Sequence, residues 1–275
     1  MGVLDGKTAI VTGSARGIGR ATAQLLIEQG ARVVINDLDG DLAQQTADEL
    51  GGETTVFAAD LTKDGTPDAL VQHAIDTWGR LDILVNNAGY TLDAPVHKMS
   101  DDWFARMLDI HVTVPFRTIR AAAPHLREPA KKERAEGVEV FRKIVNVTSI
   151  SGTLGNAGQA NYAAGKAGVV GLTRTLAKEW GQFKVNVNAV AFGWIETRLT
   201  ASKDESNVTE IDGQAVQLGI PDEMRELAPM LVPLGRPGTP EEAAGGVFFL
   251  CSPWSNYVHG QTLHVTGGQM GGMTG

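Results

Sequence analysis

A single cysteine, Cys251, stands in the whole chain, so no intramolecular disulfide can form and nothing asks for an oxidising compartment. A reduced, cytoplasmic setting is expected, and Cys251 reads as a small buried hydrophobe rather than a nucleophile. Long apolar runs are also missing. None approaches the ~20 residues that a membrane-spanning helix needs, so no membrane partner is expected. The first residues pass from Met1 through Asp5 and Lys7 straight into an apolar strand, without the pattern of a secretory leader. Positive charge is scarce and scattered. With a formal net charge of −8 and no basic stripe to neutralise phosphates, nucleic acid is not expected as a partner. The histidines, at positions 73, 97, 111, 125, 259 and 264, show neither H-E-x-x-H nor Cys/His spacing, so no metal site is expected. Internal repeats and low-complexity tracts are lacking.

What is present is a chain of 275 residues with 43% hydrophobic content, enough to bury one sizeable core. A single domain over 1–275 is expected. Short β-branched runs alternate with longer helical patterns, the signature of repeated βαβ units. Strands are predicted over Thr8–Thr12, Arg32–Asp37, Thr54–Ala59, Ile83–Asn86, Lys143–Thr148, Lys184–Ala191 and Thr262–Val265. Helices are predicted over Gly17–Gln29, Asp41–Leu50, Asp68–Trp78, Asp101–Leu126, Ala160–Trp180 and Glu241–Leu250, with Gly30, Gly51, Gly79 and Gly181 at their C-caps. The fold class implied is α/β: one doubly wound, parallel, seven-stranded sheet of the Rossmann type, with helices on both faces. Two stretches break the alternation. A charged insert at about Glu128–Arg142 reads as a surface loop. A polar segment over 200–237, rich in Pro, Gly and acids, is long enough to be a substrate lid. The Gly-rich tail Gly267–Gly275 suggests no function.

Between the first strand and the first helix runs Thr12-Gly13-Ser14-Ala15-Arg16-Gly17-Ile18-Gly19, the setting a dinucleotide fingerprint requires. Glycines let the backbone approach a pyrophosphate, and the helix N-terminus offers unpaired N–H groups to its charge. Gly13, Ser14, Arg16, Gly17, Ile18 and Gly19 are the candidate phosphate-side residues. The second strand ends at Asp37, where a carboxylate can accept from an adenosine ribose and repel a 2′-phosphate. Arg16 argues for the phosphate and Asp39 against it, so NAD is favoured over NADP. Asp60, followed by Leu61 at the end of the third strand, either binds the adenine edge or caps the next turn.

The fourth strand ends in Asn86-Asn87-Ala88-Gly89, and Tyr162 and Lys166 stand four apart in a helical pattern, hence on one helix face. Ser149 lies thirteen residues before Tyr162, just past the fifth strand, at the carboxyl edge where open α/β sheets bind ligands. These motifs, in this order across essentially the whole chain, resemble the short-chain dehydrogenase/reductase family. The run Gly155-Asn156-Ala157-Gly158-Gln159-Ala160-Asn161-Tyr162 resembles, more narrowly, its 3-oxoacyl-(acyl-carrier-protein) reductase branch.

The resemblance implies an NAD-dependent oxidoreductase interconverting a secondary alcohol and a ketone. Tyr162 would move the proton, Ser149 would hold the substrate oxygen, and Lys166 would grip the nicotinamide ribose and lower the phenol's pKa by its charge. Asn87, Ala88 and Gly89 would line the cofactor, with Ile195 and Thr197 at the carboxamide. Phe192-Gly193 replaces the family's usual Pro-Gly, so the wall behind the nicotinamide is expected to differ. A homotetramer, or at least a dimer, is also implied.

One position departs from the family. Its proton-relay Asn is His111 here, a side chain that titrates near neutrality. Pro115, four residues on, has no N–H for the His111 carbonyl, and the expectation is that backbone geometry preserves the relay while the side chain is replaceable. For substrate, a 3-oxoacyl thioester or 3-hydroxyacyl partner is favoured. Cations at Lys131, Lys132, Arg134, Arg142 and Lys143 would receive an acidic carrier if the charged insert lies at the mouth. The acidic segment at Asp204, Glu205, Glu210, Asp212, Asp222, Glu223 and Glu226 argues the other way, as does NAD in a biosynthetic reductase. A hydroxysteroid or other small secondary-alcohol dehydrogenase is the alternative in the same mechanism. A non-catalytic nucleotide sensor and a sugar epimerase or dehydratase are the rivals outside it.

Overall fold

A computed structural model describes residues 2–202, 208–211, 214–217, 219–220 and 222–269. Seven strands, β1 (Thr8–Thr12), β2 (Arg32–Asp37), β3 (Thr54–Ala58), β4 (Ile83–Asn86), β5 (Arg142–Ser149), β6 (Val185–Phe192) and β9 (Thr262–Val265), form one sheet in the order β3-β2-β1-β4-β5-β6-β9. Every pairing in it is parallel. An antiparallel hairpin of β7 (Val208–Ile211) and β8 (Gln214–Gln217) stands apart from it. The helices are α1 (Gly17–Glu28), α2 (Gly40–Leu50), α3 (Thr66–Trp78), α4 (Asp101–Leu108), α5 (Val114–Ala135), α6 (Ser151–Leu154), α7 (Ala160–Trp180), α8 (Asp222–Glu226), α9 (Ala228–Leu231) and α10 (Pro240–Cys251).

The strands read as continuous apolar runs because both faces of the sheet are covered. Alternation along β1 sends Ala9 and Val11 into a core shared with Leu26 of α1 and Val247 of α10, whereas Ile10 enters the opposite core with Leu70 of α3, Ile119 of α5 and Trp180 of α7. Helix signals in the chain act as they should. The Thr239 hydroxyl and the Glu242 carboxylate form a reciprocal capping box at α10. Gly51 and Gly79 end α2 and α3 with positive φ, of 60° and 72°. Gly181 does not: its φ is −58°, the chain tightens into a 3-10 turn, and Lys184 takes the left-handed conformation instead.

Two predicted boundaries are corrected. The helix expected over Asp101–Leu126 is interrupted, with a π-helical turn over Asp109–Thr113 between α4 and α5. There the Val114 amide donates to the Asp109 carbonyl, five residues back, and Pro115 has no N–H to restore the tighter spacing. The charged insert is not a loop throughout, because α5 continues to Ala135 with Pro124 and Pro129 inside it. Lys131–Glu128 at 2.6 Å and a two-pronged Arg142–Glu133 pair, 2.8 Å each, tie that stretch down. A crossover helix returns the chain to the amino end of the next strand, so these cations stand at the amino edge, opposite the site. In the segment over 200–237, Ser202 bridges Ile220. Asp204, Glu205 and Asp212, and the tail beyond residue 269, lie outside the described residues.

Candidate active site

The carboxyl edge is built first by glycine. Gly13 and Gly17 adopt left-handed φ of 62° and 56°, and a Cβ on Gly19 would stand 2.1 Å from the Gly13 carbonyl oxygen and 2.7 Å from Asn87 Nδ2. The loop therefore closes only without side chains at these positions. Arg16 caps α1 without a side-chain bond to its first amides, which leaves them for an anion. Ile18, in that first turn, packs on the core. Ser14 is fully buried, its hydroxyl donating to the Val11 carbonyl at 2.7 Å and accepting from the Asn36 amide at 3.1 Å. It braces the loop from beneath.

Asp37 holds the same loop from the side. One carboxylate oxygen accepts from the Ala15 amide at 3.1 Å and the other from the Leu38 amide at 2.9 Å. The Arg16 guanidinium pairs with Asp39 at 2.9 Å. Asn87 donates from its side chain to the carbonyls of Thr12 and Gly13 at 2.9 and 3.0 Å, and the Asn87 and Ala88 amides both donate to the Thr12 hydroxyl at 2.9 Å. Asp60 caps its own turn, accepting from the Thr62 amide and hydroxyl at 2.9 and 2.7 Å, beside buried Leu61. Thr197 approaches Gly17: a Cβ there would lie 3.8 Å from its methyl. Ile195 bridges Gly238 and offers its carbonyl to the Thr200 hydroxyl. This glycine cradle, with an acid at the end of β2, fits a dinucleotide.

Ser149, Tyr162 and Lys166 converge as their spacing predicts. Ser149, at the end of β5, hydrogen-bonds Tyr162 and accepts from the Ser151 amide at 3.1 Å. Lys166 Nζ donates to the Val147 carbonyl at 2.8 Å and stands 5.5 Å from the Tyr162 ring centre. The direction of the phenol's shift is a correction. Burial pushes Tyr162 up to about 12, with the Ser149 bond pulling down and Asp93 pushing up. Burial also pushes Lys166 down to about 7. Desolvation penalises both charged forms, so the pair favours a neutral phenol rather than a phenolate.

His111 lies in the π-helical turn, 3% exposed. Its ring stands edge-on to Tyr162, centres 5.0 Å apart at 88°. Nε2 meets the Tyr90 carbonyl at 2.9 Å and so carries the proton, whereas buried Nδ1 has no hydrogen-bond partner. Burial first, and then Lys166, hold its pKa well below the usual histidine value, against the Tyr90 bond. It is a neutral imidazole at working pH. Gly89 and Gly165 make room for it: a Cβ on either would come within 2.3 Å and 3.0 Å of the histidine's atoms.

Two residues of the site were quoted in the sequence without a role. Asn161 is fully buried, and its side chain accepts from the Tyr162 amide at 2.7 Å while donating to the Leu92 carbonyl at 2.9 Å. Gln159 joins Ser151, Asn156 and Asp93. Adjacency to Tyr162 was the available signal. Cys251 is buried and pushed up to about 12 by desolvation, despite nearby Lys143, as an inert thiol should be. Among the described residues no cluster of three His, Cys, Asp or Glu could hold a metal, and no helix is long and apolar enough to cross a membrane.

The chain is similar to known proteins over nearly its full length. A family model described as enoyl-(acyl carrier protein) reductase matches residues 13–270. A 3-oxoacyl-(acyl-carrier-protein) reductase of Vibrio cholerae serotype O1 is 40% identical over 265 residues, covering 96% of this chain and 98% of that protein. The protein of the same description from Thermotoga maritima is 36% identical over 268 residues, 96% and 98% of the two chains. One from Synechocystis is 36% identical over 278 residues, 98% and 99% of the two.

Proposed function

Because the chain belongs to the short-chain dehydrogenase/reductase family, we propose that it reduces the ketone of a 3-oxoacyl thioester to the 3-hydroxyacyl product. It is an oxidoreductase, and family membership gives it a nicotinamide cofactor. The observation that carries the reading is Tyr162, half-buried as a residue, its hydroxyl bonded to Ser149 at the open end of β5 with Lys166 on the same helix face.

When bound, the cofactor supplies the hydride. Gly13, Arg16, Gly17, Ile18 and Gly19 would receive its pyrophosphate side, with Ser14 as brace. Asp37 would take the ribose, Asp60 and Leu61 the adenine, Asn87, Ala88 and Gly89 the middle, and Ile195 and Thr197 the carboxamide. NAD is the form proposed, since Asp37 opposes a 2′-phosphate and Arg16 is already paired with Asp39. Tyr162 donates its proton to the ketone oxygen as charge builds there, and Ser149 steadies that oxygen with a hydrogen bond. A phenol kept neutral by burial holds the proton that reduction of the ketone needs. Lys166 uses one donor on Val147 and keeps the others for a ribose hydroxyl. His111, neutral and edge-on, acts by holding the Tyr162 ring while the π-helical turn shapes the backbone for the relay. The segment over 200–237 serves as a lid, and the exposed Phe104 of α4 and Phe116 of α5 support self-association as a dimer or tetramer. A cytoplasmic location completes the reading.

The test follows NADH and NADPH absorbance against 3-oxoacyl thioesters and simple ketones. Expected is a kcat/KM at least about tenfold higher with NADH, about 1.4 kcal/mol of discrimination. Preference for NADPH would remove the Asp37 reading; preference for simple ketones would remove the thioester.

A further inference from the structure

Two turns meet at the carboxyl edge beside Ile195 and Thr197: Phe192-Gly193-Trp194 after β6 and Gly267-Gly268-Gln269 after β9. The strands before them pair in parallel with Phe192 opposite Val265, so the two chains leave the sheet side by side. The Gly193 amide donates to the Val265 carbonyl at 3.1 Å. One residue on, the Trp194 amide donates to Gln269 Oε1 at 3.0 Å. Glycine leaves the room for that contact, because a Cβ on Gly193 would stand 2.9 Å from the same oxygen and 3.0 Å from Thr266 Cα. The other side of this wall is bonded to Gly238, whose amide donates to the Trp194 carbonyl at 2.9 Å and whose carbonyl accepts from the Glu196 amide at 2.8 Å.

Gln269 is itself held in place. Its amide donates to the Thr266 carbonyl at 3.1 Å, and the Gly267 carbonyl before it accepts from the Leu234 amide at 3.1 Å. Gly267 and Gly268 take left-handed φ of 61° and 90°. A Cβ on the first would lie 2.7 Å from Val232 Cγ1 and on the second 3.0 Å from Pro233, so the turn packs this closely only as glycine. The backbone is thus fixed before the side chain reaches across, and little freedom is lost when the bond to Trp194 forms. That bond matters more here because Phe192 lacks the ring with which a proline fixes φ at the corner.

We propose that Gln269 is a positioning residue for the nicotinamide: by holding the Trp194 amide it fixes the backbone that presents Ile195 and Thr197 to the carboxamide. The proposal rests on the reading that those two residues receive the carboxamide. Loss of one neutral hydrogen bond corresponds to about fivefold in affinity, and it falls on the nicotinamide end of the cofactor alone. The adenosine and pyrophosphate end is held by the Gly13–Gly19 loop and Asp37, which Gln269 does not touch.

Dissociation constants of NADH, and of ADP-ribose as the ligand without a nicotinamide, are measured by titration calorimetry on the full-length protein. Gln269→Leu keeps the bulk and loses the acceptor; it is expected to weaken NADH about fivefold and ADP-ribose less than about twofold. Gln269 Nε2 makes no hydrogen bond among the described residues, so Gln269→Glu retains the one contact at stake and should bind both ligands within about twofold of the unaltered protein. Equal weakening of both ligands by leucine, or none, overturns the proposal, as does a glutamate variant as impaired as the leucine one. Should Gln269→Leu not fold, Gln269→Asn takes its place: its side chain is one methylene too short to reach the Trp194 amide, so NADH must again weaken selectively, and an unchanged NADH affinity overturns the proposal. An unaltered protein that binds neither ligand would instead defeat the cofactor reading, and the proposal falls with it.

Discussion

The two edges of the sheet handle buried charge in opposite ways. At the amino edge the buried charges of Asp82 and Lys143 are surrounded by partners. The Asp82 carboxylate, 1% exposed, accepts from the Thr8 amide at 3.0 Å, from Arg80 at 2.8 and 2.7 Å, and from Lys7 at 3.2 Å. Burial alone would raise its pKa, but Arg80, Lys7 and Thr8 together hold it below the usual value. Lys143 Nζ meets three oxygens, of Asn186, Ser255 and Asn256, at 3.0, 3.2 and 2.8 Å. At the carboxyl edge, Lys166 is bonded to one carbonyl and buried His111 Nδ1 to nothing. Saturated partners make a charge structural; missing ones leave capacity for a ligand and its chemistry.

The contrast can be broken from either side. Tyr162→Phe should lower reduction of the thioester about 10²–10⁴-fold, the range of a lost proton donor, with the melting temperature nearly unchanged; equal losses of activity and stability would erase the distinction. Asp82→Asn should do the reverse, costing about 1–3 kcal/mol in urea denaturation because a buried amide cannot replace the charge-assisted bonds that the buried carboxylate takes from Arg80, Lys7 and the Thr8 amide, with kcat preserved. Lys143 sharpens the amino-edge half. Burial lowers it to about 8 from the usual lysine value of 10.5, so the folded state holds fewer protons than the unfolded state between those values. Stability should therefore climb with pH through that window, by about 1 kcal/mol or more, and Lys143→Met should flatten the climb. The smallest effect is at His111. A neutral ring does not titrate in the working range, so His111→Asn should change turnover by less than about tenfold, below about 1.4 kcal/mol of barrier, without altering the pH profile near neutrality.

Much of this was legible in the chain. The seven sheet strands follow β-branched runs, and the Gly13–Gly19 loop and the Ser149, Tyr162 and Lys166 trio follow from spacing, because period and turn chemistry are local properties. What escaped is non-local. The π-helical turn at 109–113 leaves the side-chain pattern of a long helix almost intact, so periodicity passes over it. The β7–β8 hairpin lies in a polar segment without the alternation that marks a strand. The cations over 131–143 were legible as residues but not as an edge. Desolvation escaped most completely: Tyr162 and Lys166 standing four apart suggest an acidified phenol, and only burial shows that both groups resist charge.

The last strand to enter the sheet, β9, pairs with Ala189–Phe192, the second half of β6, a strand whose every residue is buried. A ribosome that has not yet passed residue 265 holds a nascent chain with that apolar ladder open along one side, and until the final four-residue strand is released the polypeptide carries a template for sticking to its neighbours.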